Sequence, residues 1–192
     1  PHGAIVTDSA ASATHLATGE LVLPEAVSVS VDGKNIKTIL ELAKAKGKAT
    51  GVVTDTRVTH ATPAAFVSHV TNRKMENEIA EQIIALKPDI TFGGGLRHFL
   101  PQSNEKSKRK DNRDLIAQAQ KNGINVVYNK DDLAQAPVDK PILGLFSKSE
   151  MPYVLEYKNK NISEPTLLEM TQKALDVLSQ NPKGFFVMIE GG

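Results

Sequence analysis

Two spacings of apolar residues alternate along the chain. Short continuous apolar runs read as buried strands, and stretches whose apolar residues recur every three or four positions read as amphipathic helices. Strands are expected over residues 3–7, 49–54, 89–92, 124–128, 141–146 and 185–189. Helices are expected from Ser9 onward, then over residues 35–46, 63–70, 76–86, 113–122, 131–136 and 164–180. In the second helix Ile36, Ile39, Leu40 and Ala43 share a face, and Gly47 supplies a C-terminal stop. In the longest, Leu167, Leu168, Met170, Ala174, Leu175 and Leu178 make the apolar stripe. Pro63 suits the first turn of its short helix. Residues 21–32 read as irregular loop, and Gly93-Gly94-Gly95 as a tight turn closing a strand.

Alternation of this kind argues for an α/β fold, a mainly parallel sheet flanked by helices on both faces. Residues 1–192 are expected to form a single domain with a sizeable core. Ligands in such folds bind beyond the carboxyl ends of the strands. The candidate chemistry falls on that edge: Ser9 after the first strand, Thr62 and Arg73 after the second, and Glu190 at the end of the last.

Composition narrows the function. At 40% hydrophobic and 23% charged residues the chain matches soluble globular proteins. A net charge of +1 points to no strongly charged partner. The absence of cysteine excludes a disulfide frame and a thiolate metal site. No apolar run approaches the ~20 residues that span a bilayer, and no signal peptide is visible. The chain opens on Pro1-His2-Gly3 and ends on Glu190-Gly191-Gly192 directly after an apolar run, so an internal piece of a longer polypeptide is expected. The basic run Lys106, Lys108, Arg109, Lys110 and Arg113 is broken by Glu105, Asp111 and Asp114 and carries no aromatic residues. It reads as a solvated loop, not a nucleic-acid surface.

The segment from Val6 to Thr14 puts Asp8-Ser9 at the start of an alanine-rich helix. Free backbone N–H groups there favour negative charge by ~0.3–1 kcal/mol. Ser9 could bind an anion or act as an activated nucleophile; equally, Asp8 or Ser9 could only cap the helix. Arg73 carries a planar fork suited to phosphate, which Asp8 could hold by pairing, or it is a solvated surface residue. Thr62 reads locally as a helix cap before Pro63, and Glu190 as an exposed carboxylate at a strand end.

Residues Val6 through Thr14 resemble the nucleophile signature of the alkaline phosphatase family. The run from Thr54 to Lys74 and the run from Gly184 to Gly192 resemble two further segments of the same family. So do Phe92-Gly93-Gly94-Gly95, Phe99-Leu100-Pro101, Gly144-Leu145-Phe146 and residues 164–171, so the likeness covers essentially the whole chain. The resemblance implies hydrolysis of phosphate monoesters through a phosphoserine on Ser9, with Asp8 orienting it and Arg73 holding substrate phosphate. It implies zinc at Ser9 and magnesium at Thr62 and Glu190. His60 stands where some members have aspartate, and imidazole would shift that site toward zinc. The family's other zinc ligands are expected outside this stretch, so the piece alone is expected to be inactive. A phosphate-binding module without turnover, or an inert structural piece, is the alternative. The resemblance further implies inorganic phosphate as product, a homodimer, and a periplasmic or secreted location for the intact protein.

Overall fold

A computed structural model describes residues 6–157 and 162–192. Five strands form one sheet in the order β3-β4-β2-β1-β5: β1 Ala49–Arg57, β2 Ile90–Gly94, β3 Asn125–Val127, β4 Ile142–Leu145 and β5 Phe185–Glu190. Every pairing is parallel. Helices cover both faces, as the alternation predicts.

Side chains alternate across a strand, so neighbouring residues of β1 enter different cores. Val52 faces α1 (Ser9–Thr18), α2 (Ile39–Ala45), α3 (Ala61–Val67), α4 (Glu76–Leu86) and α5 (Leu115–Lys121), in a cluster with Leu40, Ile79, Ile83, Leu115 and Met188. Val53 faces α6 (Lys130–Gln135) and α8 (Leu167–Leu178), with Phe92, Leu133, Met170 and Leu178. Ala10, Ala13 and Ala17 of α1 share a cluster with Ala61, Ala64 and Ala65 of α3. Small side chains let these two helix backbones approach closely, which sets the start of α1 beside the start of α3.

Several expected boundaries shift for local reasons. The expected strand at residues 3–7 falls mostly outside the described residues; Val6 and Thr7 are exposed and in no strand. The helix expected at 35–46 starts only at Ile39, because Thr38 and Glu41 form a capping box and Asn35 bridges Val29 instead. A second capping box, Thr166 with Glu169, moves the start of α8 to Leu167. That helix turns Val177 inward and leaves Leu168 75% exposed. The helix expected at 63–70 begins earlier, at Ala61, and ends at Val67, since Ser68 is extended and Val70 pairs with Val27. β1 runs three residues beyond the expected Thr54, to Arg57. A 3₁₀ turn at Leu96–His98 and the short α7 (Val154–Tyr157) have no strong sequence periodicity and were not expected.

Candidate functional site

The site lies at the carboxyl edge of the sheet, where α1, the β1–α3 loop and the end of β5 meet. Asp8, not Ser9, caps α1: its backbone is extended and its carboxylate accepts from Ala10 N at 3.3 Å and Ala11 N at 3.1 Å. Glu25 N donates to the same carboxylate at 3.2 Å, tying the following loop to the cap. Burial pushes the Asp8 carboxyl up, but the backbone bonds from Ala11, Glu25 and Ala10 and the Arg73 charge outweigh it and hold the group below its ordinary range. The N–H groups of Ala10 and Ala11 at the start of α1 are therefore taken by Asp8. Ser9 is left as the exposed first residue of α1, not its cap.

Arg73 is not a solvated surface residue. Its side chain is 22% exposed, with Nη1 3.5 Å from Asp8 Oδ2. Its Nη2 donates to His60 Nε2 at 2.9 Å. Burial first, then the charges of Arg73 and Arg57, lower the His60 pKa against smaller opposing effects of Glu190 and Glu76, which favours the neutral ring that a bond donated by Arg73 requires. A ring that accepts at Nε2 carries its proton on Nδ1. That Nδ1 is buried and has no hydrogen-bond partner among the described residues.

His60 is also the N-cap residue of α3, without a side-chain cap bond, and Thr62 is the second residue of that helix. Thr62 is thus not the cap its sequence position suggests. Its hydroxyl makes no hydrogen bond among the described residues. Glu190 is half-buried where an exposed carboxylate would have been the simple expectation. It sits opposite Thr54 in the β1–β5 register, on the face that meets α3. Its Oε2 accepts from Thr54 Oγ1 at 2.7 Å and from Thr56 Oγ1 at 3.3 Å. The alternation Thr54, Thr56 at strand spacing was a signal in the sequence that both hydroxyls share a face.

The Thr62 hydroxyl and the Glu190 carboxylate are donor types that suit a hard divalent cation. These two residues fit magnesium; His60, expected from the sequence as a further ligand, offers no lone pair in this geometry, because Nε2 accepts from Arg73 and Nδ1 carries the proton. Among the described residues, no group of three or more His, Cys, Asp and Glu side chains is close enough to hold an ion by itself.

Sequence reasoning missed the neighbouring Arg57 and Glu76. Arg57 donates to Glu76 through Nε at 2.7 Å and Nη2 at 3.1 Å, and pairs with Glu150 through Nη1. Thr59 donates to Glu76 Oε2 at 2.6 Å, and His98 Nε2 lies 3.2 Å from the same oxygen. No local motif marks such a cluster, because its members lie far apart in the sequence, at residues 57–59, 76, 98 and 150. The basic loop also needs correction at one position. Arg109, expected to be solvated, has a side chain only 1% exposed, paired with Glu81 and Asp111 at 2.6 Å each. It further donates to the carbonyls of Asn77 and His98. Its four neighbours in the basic run remain exposed.

Comparison with known proteins converges on one family. The family model described as Alkaline phosphatase matches residues 1–192. The alkaline phosphatase of Schizosaccharomyces pombe is 42% identical over 201 residues, covering 97% of this chain and 37% of that protein. Alkaline phosphatase of Escherichia coli is 35% identical over 227 residues, covering 97% of this chain and 48% of that protein. Thermus thermophilus alkaline phosphatase superposes with a TM-score of 0.87 at 34% identity, over 95% of this chain and 37% of the other. The enzyme from the Antarctic bacterium TAB5 superposes at 0.85 with 30% identity, over 97% and 52%. The chain spans less than half the length of these curated relatives.

Proposed function

Because the chain belongs to the alkaline phosphatase family, we propose that it carries the nucleophile and the phosphate-holding arginine for hydrolysis of phosphate monoesters. The observation that carries this reading is the Asp8–Arg73–His60 bridge, which holds the Arg73 fork against the residue immediately before the exposed Ser9. Turnover is proposed for the full-length polypeptide, since the donors gathered here do not amount to a complete metal site.

Ser9 Oγ attacks phosphorus in line. The Oγ–P bond forms as the bond from phosphorus to the alcohol oxygen breaks, and the alcohol leaves with a proton. Arg73 keeps N–H donors beyond those turned to Asp8 and His60, and these meet the equatorial oxygens where charge gathers. Water then attacks the phosphoserine, the P–Oγ bond breaks, and Ser9 and inorganic phosphate are released. Asp8 keeps α1 and Arg73 in one register throughout both steps. Zinc at Ser9, with magnesium at Thr62 and Glu190, would supply positive charge that lowers the pKa of the serine hydroxyl and of the attacking water. Support for a cation includes the TAB5 relative, of which a histidine-to-aspartate variant has magnesium bound in its M3 site. A homodimeric, exported full-length protein belongs to the same proposal and rests on family membership.

The test is hydrolysis of a chromogenic phosphate monoester by the full-length polypeptide with zinc and magnesium, alongside Ser9→Ala. Turnover and a labelled phosphoserine that both vanish in Ser9→Ala support the reading. Phosphate binding without turnover or phosphoserine would favour the binding-module alternative.

A further inference from the structure

We propose that Glu76 is a positioning residue for Arg73 and for the loop that carries His60 and Thr62; the inference rests on the phosphate-holding role proposed for Arg73. Glu76 touches no part of the site where phosphate would sit. It is the first residue of α4, and the chain reaches it from Arg73 through a tight turn closed by Met75 N donating to Asn72 O at 3.0 Å.

From that place its carboxylate gathers three other segments. Arg57 at the end of β1 grips it with two nitrogens, at 2.7 and 3.1 Å. Thr59, in the β1–α3 loop, donates to it at 2.6 Å. His98, in the 3₁₀ turn after β2, lies at 3.2 Å. Arg57 and Glu76 are only 13% and 15% exposed, so this pair is shielded from the solvent that weakens surface ion pairs. Two-pronged arginine–carboxylate contact fixes orientation as well as distance.

The geometry has a direct consequence for the site. Thr59 immediately precedes His60, whose Nε2 accepts from Arg73. Arg73 is therefore located by two routes that both begin at Glu76: the covalent turn back to Arg73, and the path Thr59, His60, Arg73 across the loop. With one route cut, the start of α3 and the guanidinium are free to shift relative to each other. A misplacement of about 1 Å in a positioning contact costs on the order of a hundredfold in rate.

The experiment is a mutant cycle in the full-length, metal-loaded polypeptide, reading the dissociation constant of inorganic phosphate and kcat/KM for a phosphate monoester. Glu76→Gln is expected to weaken both by about ten- to a hundredfold. In an Arg73→Ala background the same change is expected to alter them by less than about twofold, because the two residues act as one unit. Glu76→Asp should recover part of the loss. Thr59→Val removes a single leg of the cluster at constant shape and carries the same cycle if Glu76→Gln does not fold. An equal loss in both backgrounds would overturn the positioning role in favour of a general structural one, as would an unchanged phosphate affinity in Glu76→Gln and Thr59→Val. If Arg73→Ala alone leaves phosphate binding intact, the role of Arg73 falls, and the positioning role with it; that single variant separates the two failures.

Discussion

Arg73 donates from Nη2 to His60 Nε2 at 2.9 Å while its Nη1 lies 3.5 Å from Asp8. One guanidinium thus joins the cap of α1 to the cap of α3, and does so only because it is planar and forked. Lysine offers a point charge that reaches one of these partners at a time. Arg73→Lys is expected to lower kcat/KM for phosphate monoesters by on the order of tenfold or more, with little change in thermal stability. Steady-state kinetics paired with a melting curve on the full-length protein measure both.

Asp8 has two duties that substitutions can separate. Asp8→Ala removes the acceptor for Ala10, Ala11 and Glu25, and should cost about 1–2 kcal/mol. Asp8→Asn keeps a capping oxygen and should stay within about 0.5 kcal/mol of the parent, while losing the charge that faces Arg73. Chemical denaturation distinguishes the pair. A capping role is refuted by equal destabilisation in both.

Acid should expose Glu76. Burial raises its pKa, but hydrogen bonds from His98, Arg57 and Thr59 and the His98 charge lower it far more, well below the ordinary 4.5. Folding therefore favours the ionised form. The stabilisation is fully present above pH 4.5 and drains away as the pH falls from there toward the folded value. Melting temperatures of the parent and of Glu76→Gln should differ most at neutral pH, and the gap should narrow progressively as the pH falls below 4.5. A gap that stays constant on acidification would rule this out.

Gly94 ends β2 against residues 147–151, which cross the edge of the sheet. Gly95 N donates to Ser149 O at 2.8 Å and Leu96 N to Ser147 O at 3.1 Å. A Cβ on Gly94 would overlap the Ser149 carbonyl oxygen, a backbone atom with no side chain to swing away. Gly94→Ala should destabilise the fold by about 1–3 kcal/mol and speed hydrogen exchange at the Gly95 and Leu96 amides. Unchanged exchange there would show that this crossing segment is not held as described.

Arg109 should behave as a buried fastener of the loop that leads into α5. Arg109→Ala leaves the carbonyls of Asn77 and His98 without this donor, while Glu81 and Asp111 retain access to water. A loss of about 1–3 kcal/mol is expected, against less than about 0.5 kcal/mol for Lys110→Ala on the exposed side of the same run. Thermal melts of the two variants test the contrast.

How much of this was legible beforehand depended on the range of the interaction. The helix 76–86 matched to the residue, because its apolar spacing and its flanks agree. The helix at 35–46 shifted, since a capping box of Thr38 with Glu41 outweighs the apolar pattern that extends back to Ile36. Ser9 and Asp8 were legible as a helix start, but not which of them caps; the extended backbone of Asp8 decides that. Arg109 could not be told from its exposed neighbours, because its partner Glu81 lies 28 residues away.

The sequence by itself determined the alternation of strand and helix, hence a parallel sheet, and with it the placement of Thr62 and Arg73 after β1 and of Glu190 at the end of β5, while the strand expected before Ser9 is not seen among the described residues. Those features follow from spacings of two to four residues, which any reader of the chain can see. Only the tertiary structure decided who touches whom at that edge. Glu190 meets Thr54 across 136 residues, Arg73 meets His60 across 13, and Glu76 meets Arg57 across 19. Such contacts exist only once sheet register and helix packing have brought distant segments within about 3 Å of one another, the range over which hydrogen bonds act.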